Sequence, residues 1–171
     1  MNELYSVFLG GGSPVRLNPL LPFGRNVTSF QISPDSSRVV YSADQQKAFV
    51  GELYGVPLGG PAAAGIKLNG ALVAGGIVRS FLISPDSSRV VYVATQPSTD
   101  FELYSVPIGG PATVGIKLNG TLVAGGSVFE HKISPDSGRT VYIADQDTAD
   151  VVDLYMTSFS FLYLPLILNQ G

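Results

Sequence analysis

The chain contains no cysteine and no tryptophan, and only one histidine, His131, in 171 residues. Without cysteine there are no disulfides and no thiolate metal sites. A single histidine leaves neither a zinc site nor a Ser-His-Asp triad to assemble. Charge is scarce as well. Charged residues make up 13%, about half the usual quarter. The formal net charge of −3, with ten scattered Lys and Arg, argues against a nucleic-acid partner. Met1-Asn2-Glu3-Leu4-Tyr5 has neither a basic nor an apolar leader region, so no signal peptide is read there. The longest apolar stretch, Phe159 to Leu168, is too short to cross a bilayer as a helix. No G-x-S-x-G, P-loop or dinucleotide fingerprint occurs, which removes the familiar nucleophile and phosphate motifs.

What the chain has is repetition. Ile32-Ser33-Pro34-Asp35-Ser36-Ser37-Arg38-Val39-Val40-Tyr41 returns as Ile83 to Tyr92 and again as Ile133 to Tyr142, about 50 residues apart each time. A second anchor keeps the same period: Glu3-Leu4-Tyr5, Glu52-Leu53-Tyr54, Glu102-Leu103-Tyr104 and the variant Asp153-Leu154-Tyr155. The two central units match at roughly two thirds of their positions, including Gly65-Ile66-Lys67-Leu68-Asn69-Gly70 with Gly115-Ile116-Lys117-Leu118-Asn119-Gly120.

Each unit reads as four strands. In the third unit these are Val78–Ser84, Arg89–Ala94, Glu102–Ile108 and Gly115–Asn119. Pro85-Asp86-Ser87-Ser88 supplies turn chemistry between the first two: proline fixes φ, and the Asp and Ser side chains bond nearby backbone N–H groups. Gly or Pro interrupts nearly every ten-residue window, which excludes amphipathic helices. Val90-Val91-Tyr92-Val93-Ala94 is apolar on both faces, as expected of a sheet sandwiched between other sheets. The fold class is therefore all-β, and β-propeller-type blades of four antiparallel strands fit it best; a sandwich would not repeat so closely, and a β-solenoid usually has a shorter period per turn. About three and a half blades fit: residues 1–26 a partial first blade, 27–76 and 77–126 complete ones, and 127–171 a last blade with a divergent C-terminal segment.

The motif Ile-Ser-Pro-Asp, followed by Arg-x-Val-Tyr, Glu-Leu-Tyr-x-Val-Pro and Gly-Gly-Pro, resembles the WD40-like Ser-Pro-Asp-Gly repeat of the TolB-like propeller family. That repeat also builds the propellers of tricorn protease and prolyl-oligopeptidase-type peptidases. True WD40 and kelch repeats match less well because tryptophan is missing. The family's turn glycine is placed at Ser37, Ser88 and Gly138, so the turn type is expected to vary between blades. The resemblance implies a periplasmic or secreted setting. It also implies that contacts lie on the end face and central channel of a ring. Closed rings have four to eight blades. Three accounts of this arc compete: a fragment of a longer propeller, closure by homo-oligomerisation, or a tight four-bladed ring. Size favours the first two, and the isolated chain is expected not to be a well-behaved monomer.

Function is read as a non-enzymatic scaffold or protein-binding module, with partners or further copies engaged through open blade edges. One alternative is a propeller that gates a peptidase encoded elsewhere. Another is a structural repeat of a secreted or surface protein, stiffened by calcium. Candidate binding positions are those on the first strands where the copies differ: Thr28, Ser29 and Gln31; Arg79 and Leu82; Phe129, Glu130, His131 and Lys132. His131 aligns with Phe30 and Phe81, which points to packing. Asp145, Asp147 and Asp150 share one loop and form a weak candidate calcium site; no other cofactor is implied. Asp35, Asp86 and Asp136 read as turn residues, and Glu3, Glu52 and Glu102 as framework. The arginines Arg38, Arg89 and Arg139 are expected to pair with carboxylates on a neighbouring strand or blade. The segment Met156 to Leu168, where a Gly-Gly-Pro turn is due, reads as a divergent outer strand or cap, with docking onto a partner blade as its rival.

Overall fold

The computed structural model describes residues 1–158. A short hairpin comes first: β1 (Tyr5–Ser6) pairs with β2 (Val15–Arg16). Three antiparallel sheets follow. Blade I comprises β3 (Val27–Ile32), β4 (Arg38–Ala43), β5 (Glu52–Pro57) and β6 (Ile66–Lys67). Blade II comprises β7 (Val78–Ile83), β8 (Arg89–Ala94), β9 (Glu102–Pro107) and β10 (Ile116–Lys117). Blade III comprises β11 (Val128–Ile133), β12 (Arg139–Ala144) and β13 (Asp153–Ser158). Within each blade the strands pair in sequence order, and each first strand carries the same bulge, at Val27/Ser29, Val78/Ser80 and Val128/Glu130.

The second strands of blades I and II are buried on both faces because each of these blades packs against a neighbour on both sides. Val39, Tyr41 and Ala43 pack with Leu4, Leu17 and Leu21 of the leading hairpin. Val40, on the opposite face of the same strand, packs with Leu53, Leu68 and the near face of blade II, including Phe81, Val90 and Tyr92. Val91 and Val93 then meet Val128, Tyr142 and Ala144 of blade III. Burying a Val or Leu side chain is worth about 1.5–3 kcal/mol, so each interface contributes through several such residues. Tyrosines opposite one another on strands two and three stack at 5.4–5.5 Å in all three blades: Tyr41 with Tyr54, Tyr92 with Tyr104, Tyr142 with Tyr155.

The Ser-Pro-Asp turns share one geometry. Ser33 Oγ donates to Asp35 Oδ1 at 2.6 Å, Ser37 N donates to the same oxygen at 3.0 Å, and Ser36 N closes the turn on Ser33 O at 2.8 Å. The other copies repeat these bonds around Asp86 and Asp136. The expected variation in turn type is corrected here. The left-handed residue is a serine in every copy, Ser36 (φ 58), Ser87 (φ 61) and Ser137 (φ 60), one position before Gly138. The hydroxyl has a use at that position: Asp35 N donates to Ser87 Oγ and Asp86 N to Ser137 Oγ, both at 3.0 Å, tying each turn to the next blade.

Strand ends differ from the sequence reading in a consistent way. β7 ends at Ile83 and β9 at Pro107, each one residue early, because Ser84 and Ile108 turn to bond Arg89 O and Ser88 O. The fourth strand is only two residues long. A 3-10 turn, Ala112–Val114, occupies the chain before it and takes the N–H of Gly115 back to Ala112 O. After it, the Asn119 side chain takes over from the backbone and accepts from Leu103 N at 2.8 Å. Asn18 and Asn69 do the same for Leu4 and Leu53. The divergent segment from Phe159 onward lies outside the described residues.

Candidate functional site: first strands and open blade faces

The first strands were expected to carry the binding residues, and the structure divides these into two groups. Gln31 reaches across to blade II: its Nε2 donates to Phe81 O at 2.9 Å, and its Oε1 accepts from Ile83 N at 3.3 Å. It acts there as a clamp between blades. Thr28 Oγ1 donates to Ser42 O within its own sheet, and Leu82 is half-buried. Arg79 lies over the Phe101 ring, 4.6 Å from its centroid. His131 is buried against blade II, with Nε2 donating to Val91 O at 3.2 Å. Burial holds its pKa down at about 4, so the imidazole is neutral near pH 7. Ser29, Phe129, Glu130 and Lys132 remain open to solvent, with Lys132 Nζ 2.9 Å from Glu130 Oε1.

The acidic loop of blade III does not converge. Asp145 accepts from Ser127 N, Asp147 accepts from Tyr155 Oη at 3.1 Å, and Asp150 is exposed at φ 61. Among the described residues no three His, Asp or Glu groups lie close enough together to hold a metal ion in this structure. The glutamates are framework, as expected. Glu52 and Glu102 are buried and pair with Lys67 and Lys117, and each accepts from the tyrosine two residues on, Tyr54 at 2.8 Å and Tyr104 at 2.7 Å. Burial, and then the neighbouring carboxylate, pushes both phenol pKa values up. Glu3, with Arg16 and Tyr5, repeats the arrangement in the leading hairpin. Of the arginines, Arg139 meets a carboxylate in its own turn, Asp136 at 3.8 Å, while Arg89 Nε donates to Ser105 Oγ at 2.7 Å.

The terminal blades leave a pair of unmatched faces, as an unclosed arc implies, on residues that sequence reasoning did not name. Phe30 is 57% exposed and Ile32 52%, whereas Phe81, the repeat equivalent of Phe30, is 7% exposed. On the far side of blade III, Leu154 and Met156 are 72% and 64% exposed, although the equivalent of Leu154 in blade II, Leu103, is fully buried. The alignment of repeats contained this signal, since Phe30 and Leu154 keep the apolar identity of Phe81 and Leu103 at positions left uncovered among the described residues. A cleft of about 410 Å³ lies between the turns of blades II and III, lined by Arg89, Lys117, Asp136 and Thr157 among others. Its counterpart between blades I and II is closed by Ile108 and Gly110, which rest against Gly55, Ile66 and Leu68.

No protein-family model matches the sequence, and no curated protein does. Solved structures do match. A TolB-type protein from Agrobacterium tumefaciens aligns with a TM-score of 0.56 at 16% identity, over 92% of this chain and 53% of its own. The chain folds as an arc of a β-propeller, the fold it shares with this TolB-type protein. A puromycin-hydrolysing peptidase of Mycobacterium tuberculosis aligns over 94% of this chain and 26% of its own, with a TM-score of 0.64 at 16% identity. An oligogalacturonate lyase solved with manganese aligns over 90% and 40%, with a TM-score of 0.54 at 14% identity. Likeness at such identities concerns the fold. The chain spans about half the length of the first of these structures and less of the other two.

Proposed function

We propose that the protein is a non-enzymatic scaffold that binds a protein partner through the first strands and open edges of its propeller arc. One observation carries this reading. The three blades keep the same register, turn bonds and tyrosine stacks, while the solvent-facing residues of their first strands differ. A framework kept constant under a varied surface is the pattern expected when backbone geometry serves presentation. Phe129, Glu130 and Lys132 are the strongest contact candidates, offering an aromatic face beside charges of both signs. The test is a displayed peptide library selected on the full chain. Peptides are then titrated against the triple variant Phe129→Ala, Glu130→Lys, Lys132→Glu. Selected peptides are expected to bind the variant at least about tenfold more weakly, roughly 1.4 kcal/mol. Unchanged affinity, or no saturable peptide at all, overturns the reading.

A second reading draws on the peptidases among the similar structures: a propeller domain gating a peptidase encoded outside this chain. It is favoured if the selected peptides bind only as extended chains entering the arc, with affinity that depends on peptide length.

A further inference from the structure

Blade I presents a set of half-made contacts on its near face, each of which is complete at the other two blade interfaces. Phe30 and Ile32 are exposed, whereas Phe81 and His131, the equivalents of Phe30, are buried against the preceding blade. Ser36 Oγ has no donor among the described residues, whereas Ser87 and Ser137 accept from Asp35 N and Asp86 N. Tyr5 donates to Glu3 at 2.7 Å, as Tyr54 and Tyr104 do to their glutamates, but no ring stacks on it as Tyr41 and Tyr92 stack on those. Among the described residues β1 is paired along one edge only. All of these gaps lie where the first two strands of a preceding blade would stand. They specify the occupant: a Ser-Pro-Asp hairpin with a tyrosine opposite Tyr5, β-branched residues facing Phe30, and an Asp N–H at Ser36 Oγ.

Among the described residues one hairpin of this kind has its far side uncovered, β11–β12. Val141 and Ile143 are only half-buried, while Val91 and Val93 at the same positions of blade II are covered. Asp136 N has no acceptor among the described residues. Resting on the reading of the protein as a partner-binding arc, we propose that the occupant is a second copy of this chain. Its β11–β12 hairpin docks on the near face of blade I, and its β12 pairs with β1. The register of β4 on β5 sets Tyr142 opposite Tyr5 and Val141 opposite Ser6.

β13 and β1 are repeat equivalents and compete for one edge of β12, so the association is a strand exchange. β13 lacks supports that its repeat equivalents have. Glu3 has Arg16 beside it, whereas Asp153 has no ion pair among the described residues. β5 and β9 are buried nearly throughout, while β13 is exposed at every second residue or more. Exchange in both directions joins two copies into a closed ring of about six blades, inside the usual range of four to eight, and leaves no free end to propagate a filament. The size agrees, since one chain spans 53% of the Agrobacterium structure.

The absence of cysteine makes the test clean. Residues opposite one another on paired strands have Cβ atoms about 4.5–5.5 Å apart, close to the disulfide range. Full chains bearing Ser6→Cys and Val141→Cys are mixed, one with a mass tag, and oxidised mildly. A Phe49→Cys and Val141→Cys pair measures random collision, Phe49 being exposed. The Ser6–Val141 heterodisulfide is expected to form at least about tenfold faster than the control. Light scattering of the unsubstituted chain is expected to give twice 18.0 kDa. A monomer mass at all concentrations, or cross-linking at the control rate, overturns the second copy as occupant. A monomer that still binds peptides through Phe129, Glu130 and Lys132 overturns this inference alone and leaves the scaffold reading standing.

Discussion

At the scale of single residues, the serine at the left-handed turn position resolves a conflict between strain and bonding. A non-glycine residue there costs about 1 kcal/mol or more, and glycine would avoid it. Glycine carries no hydroxyl, however, and the interblade bond to Ser87 or Ser137 would be lost. Ser36 makes no such bond among the described residues but has the same backbone geometry. Comparing Ser36→Gly with Ser87→Gly therefore cancels the backbone contribution and leaves the hydrogen bond, about 1 kcal/mol. In urea unfolding at protein concentrations too low for two copies to associate, Ser36→Gly is expected to be the more stable variant by that amount. Equal midpoints for the two would show that the bond between turns contributes nothing. Strain and bonding also separate the members of the Gly-Gly pairs. Gly125 sits at φ +79, while a Cβ on Gly126 would lie 2.5 Å from Asp145 O.

At the scale of elements, most of what could be read in advance was local. The second strands were legible to the residue, because Arg89–Ala94 is β-branched, aromatic and bounded by a Ser-Pro-Asp turn. The fourth strand was overestimated, because Asn119 substitutes a side-chain bond for a ladder bond, which leaves no trace in hydropathy. Gln31 was read as a variable surface residue because its partners, Phe81 and Ile83, lie about 50 positions away. Variation at one position of a repeat looks the same whether a residue meets a ligand or a neighbouring blade. His131 was better placed, since phenylalanine at both equivalents marked the position as packed. Its burial on blade II gives β11 a pH dependence. The neutral ring is favoured in the folded state (pKa about 4) relative to an ordinary 6.5. Its contribution is present above pH 6.5 and is lost as pH falls towards 4, by about 3 kcal/mol in total. The turn carboxylates do not share that window. Asp35 is drawn down to about 2 by the Ser33 hydroxyl, and Asp86 and Asp136 are also lowered, so they destabilise the fold only below about pH 4. His131→Phe should therefore flatten the stability profile between pH 6.5 and 4 while leaving the steeper acid limb in place. Parallel profiles for variant and parent would place the titration elsewhere.

At the scale of the whole molecule, three apolar clusters joined through shared second strands make stability a nearest-neighbour property rather than that of a single core. β4 and β8 each contribute to two clusters, one through each face, whereas β13 contributes Tyr155 alone, as a partly buried residue, and leaves Leu154 and Met156 in solvent. Opening blade III to the β12 edge therefore breaks little apolar contact, while opening blade II breaks two interfaces. Amide hydrogen exchange should reflect this order, slowest in β4, β5, β8 and β9 and fastest in β13 and the β1–β2 hairpin. Protection of β13 equal to that of β9 would contradict the nearest-neighbour account. The same measurement reads the strand exchange at its weakest point. Raising protein concentration is expected to slow exchange in Glu3–Phe8, to speed it in β13 and to leave β8 unchanged, because β1 gains a partner when β12 of another copy pairs with it and β13 gives up the one it had. A concentration effect spread evenly over all three blades would mean that copies associate without pairing these strands.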